Sequence, residues 1–212
     1  MHGSARALML SAIVSLGLAG SALAAETCPP GLPPQVSCGG PDMSVITVGN
    51  YKLDPSHAAV LVRVSHIGYS RSVFRFDTVA GQLTWDPADL SKSKLTATVQ
   101  TGSISSNVPG FATELAGDKY LNAKAFPEAT FVSTAFRRKD ATHGQVDGQF
   151  TLMGKTKTVT FDVVLGGAGK GFGRPRVGVS VAGTINPQDY GMSPFFIVPI
   201  DLIIDVEFEK LP

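Results

Sequence analysis

The sequence predicts an all-β domain of about eight or more antiparallel strands, on three observations. First, many segments alternate apolar and polar residues. In the last of them Ile200, Leu202, Ile204, Val206 and Phe208 share one face, and Asp201, Asp205, Glu207 and Glu209 the other. A strand turns successive side chains to opposite faces, so this alternation means one dry and one wet face. Second, turn signals such as Asp140-Ala141-Thr142-His143-Gly144 separate the segments. Third, a single stretch after residue 50 carries helical spacing. Such strands form a closed barrel or a two-sheet sandwich. Closure removes free edges, and the final strand is long enough to pair with the first. A barrel of this size is either filled by side chains or holds one small ligand.

The elements follow in order. Residues 25–47 are rich in Pro, Gly and Ser and lack periodicity, so they read as a poorly ordered leader. The domain spans 48–210. Its first strand runs from His57 to His66, with Val60, Val62 and Val64 on one face. Ser72 to Asp77 carries Phe74 and Phe76, and Val79 to Asp86 carries Leu83 and Trp85. Leu95 to Gln100 alternates with threonines. Thr130 to Arg138, with Phe131, and Gln145 to Leu152, with Phe150, form a hairpin. Thr156 to Leu165 carries Phe161, Val177 to Ile185 follows, and Phe196 to Glu209 closes the chain. Gly110 to Ala125 holds Phe111, Leu115 and Leu121 at helical spacing and predicts one or two short helices across a barrel end. Gly166 to Gly173 is glycine-dense and reads as a mobile loop.

Residues 1–24 predict an export signal: a short basic start at His2 and Arg6, an apolar run from Ala7 to Leu18, and a small-x-small cleavage pattern at Ala22-Leu23-Ala24. The run is too short for a comfortable membrane span, so no stable membrane insertion is expected. A periplasmic location follows. Cys28 and Cys38 then read as a structural disulfide in an oxidising compartment. The chain has 18 basic and 17 acidic side chains. Removing Arg6 with the signal leaves 17 of each and a formal charge of zero. That excludes nucleic acid and electrostatic docking on anionic membranes.

Sequence motifs for catalysis fail. The run Gly166 to Gly173 does not fit the dinucleotide fingerprint, because its third glycine falls on Phe172. Gly154-Lys155-Thr156 resembles the end of a phosphate loop, but the required earlier glycine is Gln149. His57 and His66 stand about 30 Å apart by strand rise on opposite faces and cannot share a metal. No convergent acid, base or metal set assembles, and no cofactor or metal is expected.

Five segments in order resemble one known family. They are Tyr51 to Ser70 (YKLDPSHAAVLVRVSHIGYS), Phe76 to Asp86, Asp118 to Phe131 (DKYLNAKAFPEATF), Gly148 to Phe161 (GQFTLMGKTKTVTF) and Gly183 to Gly191 (GTINPQDYG). Together they are similar to the YceI-like polyisoprenoid-binding family across about residues 50–209. The chain departs from the family pattern at Val73, at Thr158, and at Pro187 and Gln188, where an arginine is expected before the Asp-Tyr-Gly turn.

The resemblance implies an antiparallel, lipocalin-like β-barrel that holds a long isoprenoid chain, with an exported protein binding, carrying or storing isoprenoid lipids or quinones. Val60, Val62, Val64, Phe74, Phe76, Leu83, Trp85, Phe131, Phe150 and Phe161 are then expected to line a hollow; without the resemblance a filled core is the favoured reading. Phe111, Leu115, Tyr120 and Leu121 form a candidate lid, and His66 is a candidate headgroup contact or a rim histidine. Trp85 and Phe126 fit either lining or core. The competing expectations are an enzyme acting on a small hydrophobic substrate through His66, Asp189 and Tyr190, and a ligand-free structural protein. A homodimer through an exposed strand is compatible with the pattern.

Overall fold

The computed structural model describes residues 28–192 and 198–212. The expected signal segment, residues 1–24, and the first part of the expected last strand, Phe196 and Ile197, lie outside them. Ten strands and one α-helix follow one another: β1 (Gly49–His66), β2 (Ser70–Phe76), β3 (Val79–Trp85), β4 (Lys94–Gln100), β5 (Ile104–Ser105), α1 (Phe111–Ala116), β6 (Glu128–Arg138), β7 (His143–Leu152), β8 (Lys155–Gly169), β9 (Arg176–Ile185) and β10 (Ile200–Lys210). All pairings are antiparallel, and β10 pairs back onto β1. The ring β1-β3-β4-β6-β7-β8-β9-β10 is therefore a closed eight-stranded barrel. Among the two architectures that the alternation allowed, the barrel is the one formed.

β1 is longer than its alternation predicts. Its first residues pair with β3, from Gly49↔Trp85 to Lys52↔Gln82, and its second half pairs with β2. The segment Asp54-Pro55-Ser56 interrupts the pattern because it is a bulge, with the register on β10 shifting between Leu53 and Ala58. Such a bulge accommodates a proline that cannot donate to the ladder. Three residues, 67 to 69, join His66 to its partner Ser70; Ile67 at φ 53° and Gly68 at φ 81° are the two central residues of a turn closed by the Tyr69 amide on the His66 carbonyl. β2 and the short β5 extend the wall beyond the ring.

The leader is docked rather than poorly ordered. Cys28 and Cys38 are disulfide-bonded, with Cα atoms 5.7 Å apart. Gly40 and Ala168 exchange two backbone hydrogen bonds of 2.8 Å, and Ser37 N–H donates to the Gly171 carbonyl at 3.0 Å. The closeness depends on glycine: a Cβ on Gly39 would sit 3.1 Å from the Gly167 backbone, and one on Gly169 2.9 Å from the Cys38 carbonyl oxygen. The same contact explains why Gly166 to Gly169, expected in a mobile loop, lie in β8. Met43–Val45 then form a 3-10 turn capped by Asp42, and Ile46 is 1% exposed. The Tyr51 hydroxyl donates to the Thr47 carbonyl at 2.6 Å, and Lys210 Nζ donates to Thr47 Oγ1 and the Val48 carbonyl.

At the opposite end, the predicted helical stretch is one short helix followed by turns. α1 is six residues long, and the Leu121 and Asn122 amides bond back to the Leu115 and Gly117 carbonyls. Leu115 and Leu121 are buried beneath this cover. Among the described residues no helix is long and apolar enough to cross a membrane.

Candidate functional site

The inward side chains of the ring do not meet in the middle. They surround a cavity of about 320 Å³. At the leader end it is lined by Met43, Ile46, Trp85, Leu90 and Phe136, along the middle by Val62, Phe161 and Val179, and at the α1 end by Leu121, Leu152, Ile185 and Met192. It therefore runs from one end of the barrel to the other. The lining is apolar except at the ends, and its largest polar stretch is the β6–β7 turn, residues 137, 138 and 140–145.

Room for this hollow is shaped by aromatic rings lying on glycines. A Cβ on Gly183 would fall 2.3 Å from Phe161 Cδ1, and one on Gly148 2.3 Å from Phe131 Cζ. With no side chain beneath them, the two rings lie close to the wall, and they meet edge-on with centroids 5.3 Å apart. Phe150 packs edge-on against Tyr190 at 5.5 Å, and Trp85 against Phe136 at 6.0 Å.

Of the residues expected to line a hollow, Val60, Val62, Phe76, Leu83, Trp85, Leu121, Phe131, Phe150 and Phe161 do so. Others are placed elsewhere. Phe74 packs on Phe111 at 5.8 Å, and both face a separate shallow cleft between β2 and the segment before α1, because β2 extends past the ring. Val64, near the end of β1, packs half-buried against the neighbouring core. Leu115 is the buried residue of α1 and does not line the cavity. Phe126 lies over Gly154, where a Cβ would approach its ring to 2.9 Å. His66 is exposed, as it ends β1 at the turn, and does not reach the cavity. The sequence reading missed the leader: Met43 and Ile46 form part of the lining, and their lone apolar character in a Pro/Gly-rich stretch was the available signal.

The expected enzyme constellation does not assemble. No hydrogen bond or ion pair links His66 to Asp189 or Tyr190 among the described residues. Tyr190 is 2% exposed, and burial pushes its hydroxyl up to about 12. Pro187, where an arginine was expected, starts a 3-10 turn over Pro187–Tyr190 that is capped by the Asn186 side chain.

The strongest electrostatic feature stands at the β1 bulge. Arg176 Nη1 donates to Asp54 at 2.7 Å and Glu207 at 2.6 Å, and Nη2 donates to Glu209 at 2.8 Å. Arg176, and next the His57 ring bonded to Asp54, hold the Asp54 carboxyl down to about 2. Asp54, His57 and Glu207 come close enough together to hold a metal ion, but the guanidinium already occupies the shared space and repels a cation. The cluster reads as a pin for the bulge.

Residues 51–209 match the YceI-like domain. The chain belongs to the YceI-like family. A UPF0312 protein of Pseudomonas putida is 35% identical over 162 residues, covering 75% of this chain and 84% of the relative. BcnA of Burkholderia cenocepacia superposes with a TM-score of 0.65 at 22% identity, covering 73% of this chain and 98% of BcnA. A polyisoprenoid binding domain from Saccharophagus degradans, implicated in plant cell wall breakdown, superposes with a TM-score of 0.60 at 12% identity, covering 78% of this chain and all of that domain. At those identities the two structures share the fold. The barrel seen here is the YceI-like barrel with its leader folded beneath it.

Proposed function

We propose that the protein binds a lipid, holding an isoprenoid chain of polyprenyl or quinone type inside the barrel for carriage or storage. The apolar cavity running from the leader to Leu121 carries this reading. The family membership and the polyisoprenoid binding domain with the same fold support it. The disulfide supports action outside the cytoplasm, in keeping with the export signal expected at residues 1–24. No catalytic step is assigned: most of the lining offers dispersion contacts and water exclusion, and its titratable groups are confined to the β6–β7 turn at one end.

Size bounds the guest. At about 320 Å³ the cavity lies at the small end of the roughly 300–1,000 Å³ range of ligand pockets. Each CH₂ buried contributes about 0.8 kcal/mol before the cost of association. A chain of roughly 40 carbons would need side chains such as Met192 or Phe150 to swing aside, or would leave part of its length outside.

Native mass spectrometry and lipid extraction of the purified protein test this. A co-purifying isoprenoid, or uptake of added prenyl lipid, is the expected result. A protein that emerges empty and refuses prenyl lipids of every length would sink the carrier reading in favour of the ligand-free structural one.

A further inference from the structure

One end of the barrel carries an apolar projection. β1 continues three residues past Arg63↔Asp201, its last rung on β10, and there pairs with β2 alone among the described residues. At a strand rise of about 3.3 Å per residue, the β1–β2 hairpin overhangs the rim by roughly 10 Å. It does so at the α1 end, because Ile200, the first residue of β10, pairs with Ile185 and lines that end of the cavity. The tip is Ile67-Gly68-Tyr69, with Ile67 76% and Tyr69 89% exposed. Val73 and Val108, exposed as well, border the shallow cleft behind it. Single exposed apolar residues are ordinary; the backbone sets this tip apart. Ile67 sits at φ 53°, in the left-handed region, where a β-branched side chain is strained and Asn or Gly is at ease. The position disfavours isoleucine twice, through exposure and through strain, and Ile67 packs into neither core cluster. Strain of this kind at an exposed site points to a role outside the fold.

We propose that the β1–β2 tip is a docking surface for a lipid bilayer, with Ile67 and Tyr69 entering among the headgroups. Charge fits this occupant. From Val62 to Phe76 the hairpin carries Arg63, Arg71 and Arg75 and no acidic residue. Arg71 bridges Asp201 and Arg75 bridges Asp77, both in solvent-open pairs of little worth, so their guanidiniums can turn to lipid phosphates. A tyrosine suits the bilayer interface, with its ring toward the acyl chains and its hydroxyl among the headgroups. A second copy fits worse. A two-fold contact would set the hairpin against itself, arginine near arginine. Four apolar side chains also fall far short of the roughly 20–30 residues a side of a stable interface. The whole chain is nearly neutral, so apolar insertion rather than long-range attraction carries the contact, and the contact is reversible. Its use in loading the barrel rests on the carrier reading, in which the guest is drawn from a membrane; the docking itself does not rest on it.

Flotation of the purified protein with phosphatidylcholine vesicles tests this without any prenyl guest. The wild type is expected to float with the vesicles. Ile67→Asn is expected to bind them about tenfold more weakly. Its unfolding midpoint is expected to match or exceed the wild type, because asparagine tolerates the left-handed backbone. Tyr69→Ser, which removes an exposed ring, is expected to weaken binding to a similar degree. A wild type that stays in the soluble fraction overturns the proposal, whatever lipid extraction shows of the carrier. Variants that float as well as the wild type overturn it too. A wild-type dimer in sedimentation velocity that Ile67→Asn turns into monomer, with no flotation, overturns it in favour of self-association. Should Ile67→Asn fail to fold, Tyr69→Ser decides alone.

Discussion

Gly183→Ala separates a hollow barrel from a filled one. The added Cβ would lie 2.3 Å from Phe161 Cδ1 and 2.6 Å from Cε1. Ordinary carbon contacts need about 3.5 Å, so the ring must retreat by roughly 1 Å or more. All the nearest atoms belong to that ring rather than to backbone, and the ring borders the cavity. In a filled core this overpacking costs about 1–3 kcal/mol. Here the ring has somewhere to go, and alanine replaces a strand glycine at a gain of about 0.5–1 kcal/mol. The two nearly cancel, so a guanidinium unfolding midpoint close to the wild type is expected. Affinity is the quantity that suffers. A ring displaced inward excludes about two CH₂ positions, worth about 1.6 kcal/mol, or over tenfold in the dissociation constant for a prenyl ligand. Gly148→Ala is the control: its Cβ would meet the Val132 carbonyl oxygen at 2.5 Å as well as Phe131. Backbone cannot step aside, so about 3 kcal/mol or more of destabilisation is expected. A Gly183→Ala protein as damaged as the control, with prenyl affinity unchanged, would refute the reasoning.

Val62→Trp, which places a large ring in the lining, should abolish prenyl binding while circular dichroism stays that of the folded barrel; undiminished uptake would remove β1 from the site. The Asp54 carboxyl is held to about 2 against an ordinary 3.8, a depressed value, so its stabilisation is complete above about pH 4 and is lost as pH falls from there through 2. That is worth about 2 kcal/mol. Asp54→Asn should therefore be less stable at pH 7 and flatten the acid limb between pH 4 and 2 in denaturant titrations, and an unaltered limb would dismiss the Arg176 pin. Reducing Cys28–Cys38 frees a loop whose closure is worth about 3 kcal/mol by chain entropy; hydrogen exchange should accelerate at Gly40 and Ala168 and leave β6 and β7 protected. Equal protection before and after reduction would show that the leader docks without its staple.

Alternation made the ring legible because most inward positions are apolar and most outward ones polar, as in β10, where only Ile203 breaks the pattern from Ile200 to Glu209. It was silent where backbone rather than side chain decides. Pro55 hid the first half of β1, since a bulge held by Arg176 is a contact between residues 122 apart in sequence. The leader hid for a related reason: glycine packed on glycine leaves no apolar pattern to read. Within the site, the central residues were legible because core and lining share one face. His66 and Phe74 were misplaced because that face continues beyond the ring, where β2 rather than β3 is the neighbour of β1.

The seam between β1 and β10 has a mechanical consequence. It is registered from Tyr51↔Lys210 to Leu53↔Phe208 and again from Ala58↔Val206 to Arg63↔Asp201 on either side of the bulge, and parting it means breaking both ladders. A guest of the proposed carrier would therefore be threaded lengthwise through an end rather than slip in sideways, as it can into an open cleft. Threading makes residence time depend on how much chain has to slide past the portal, so exchange should slow steadily as the prenyl tail is lengthened, even among guests of equal affinity.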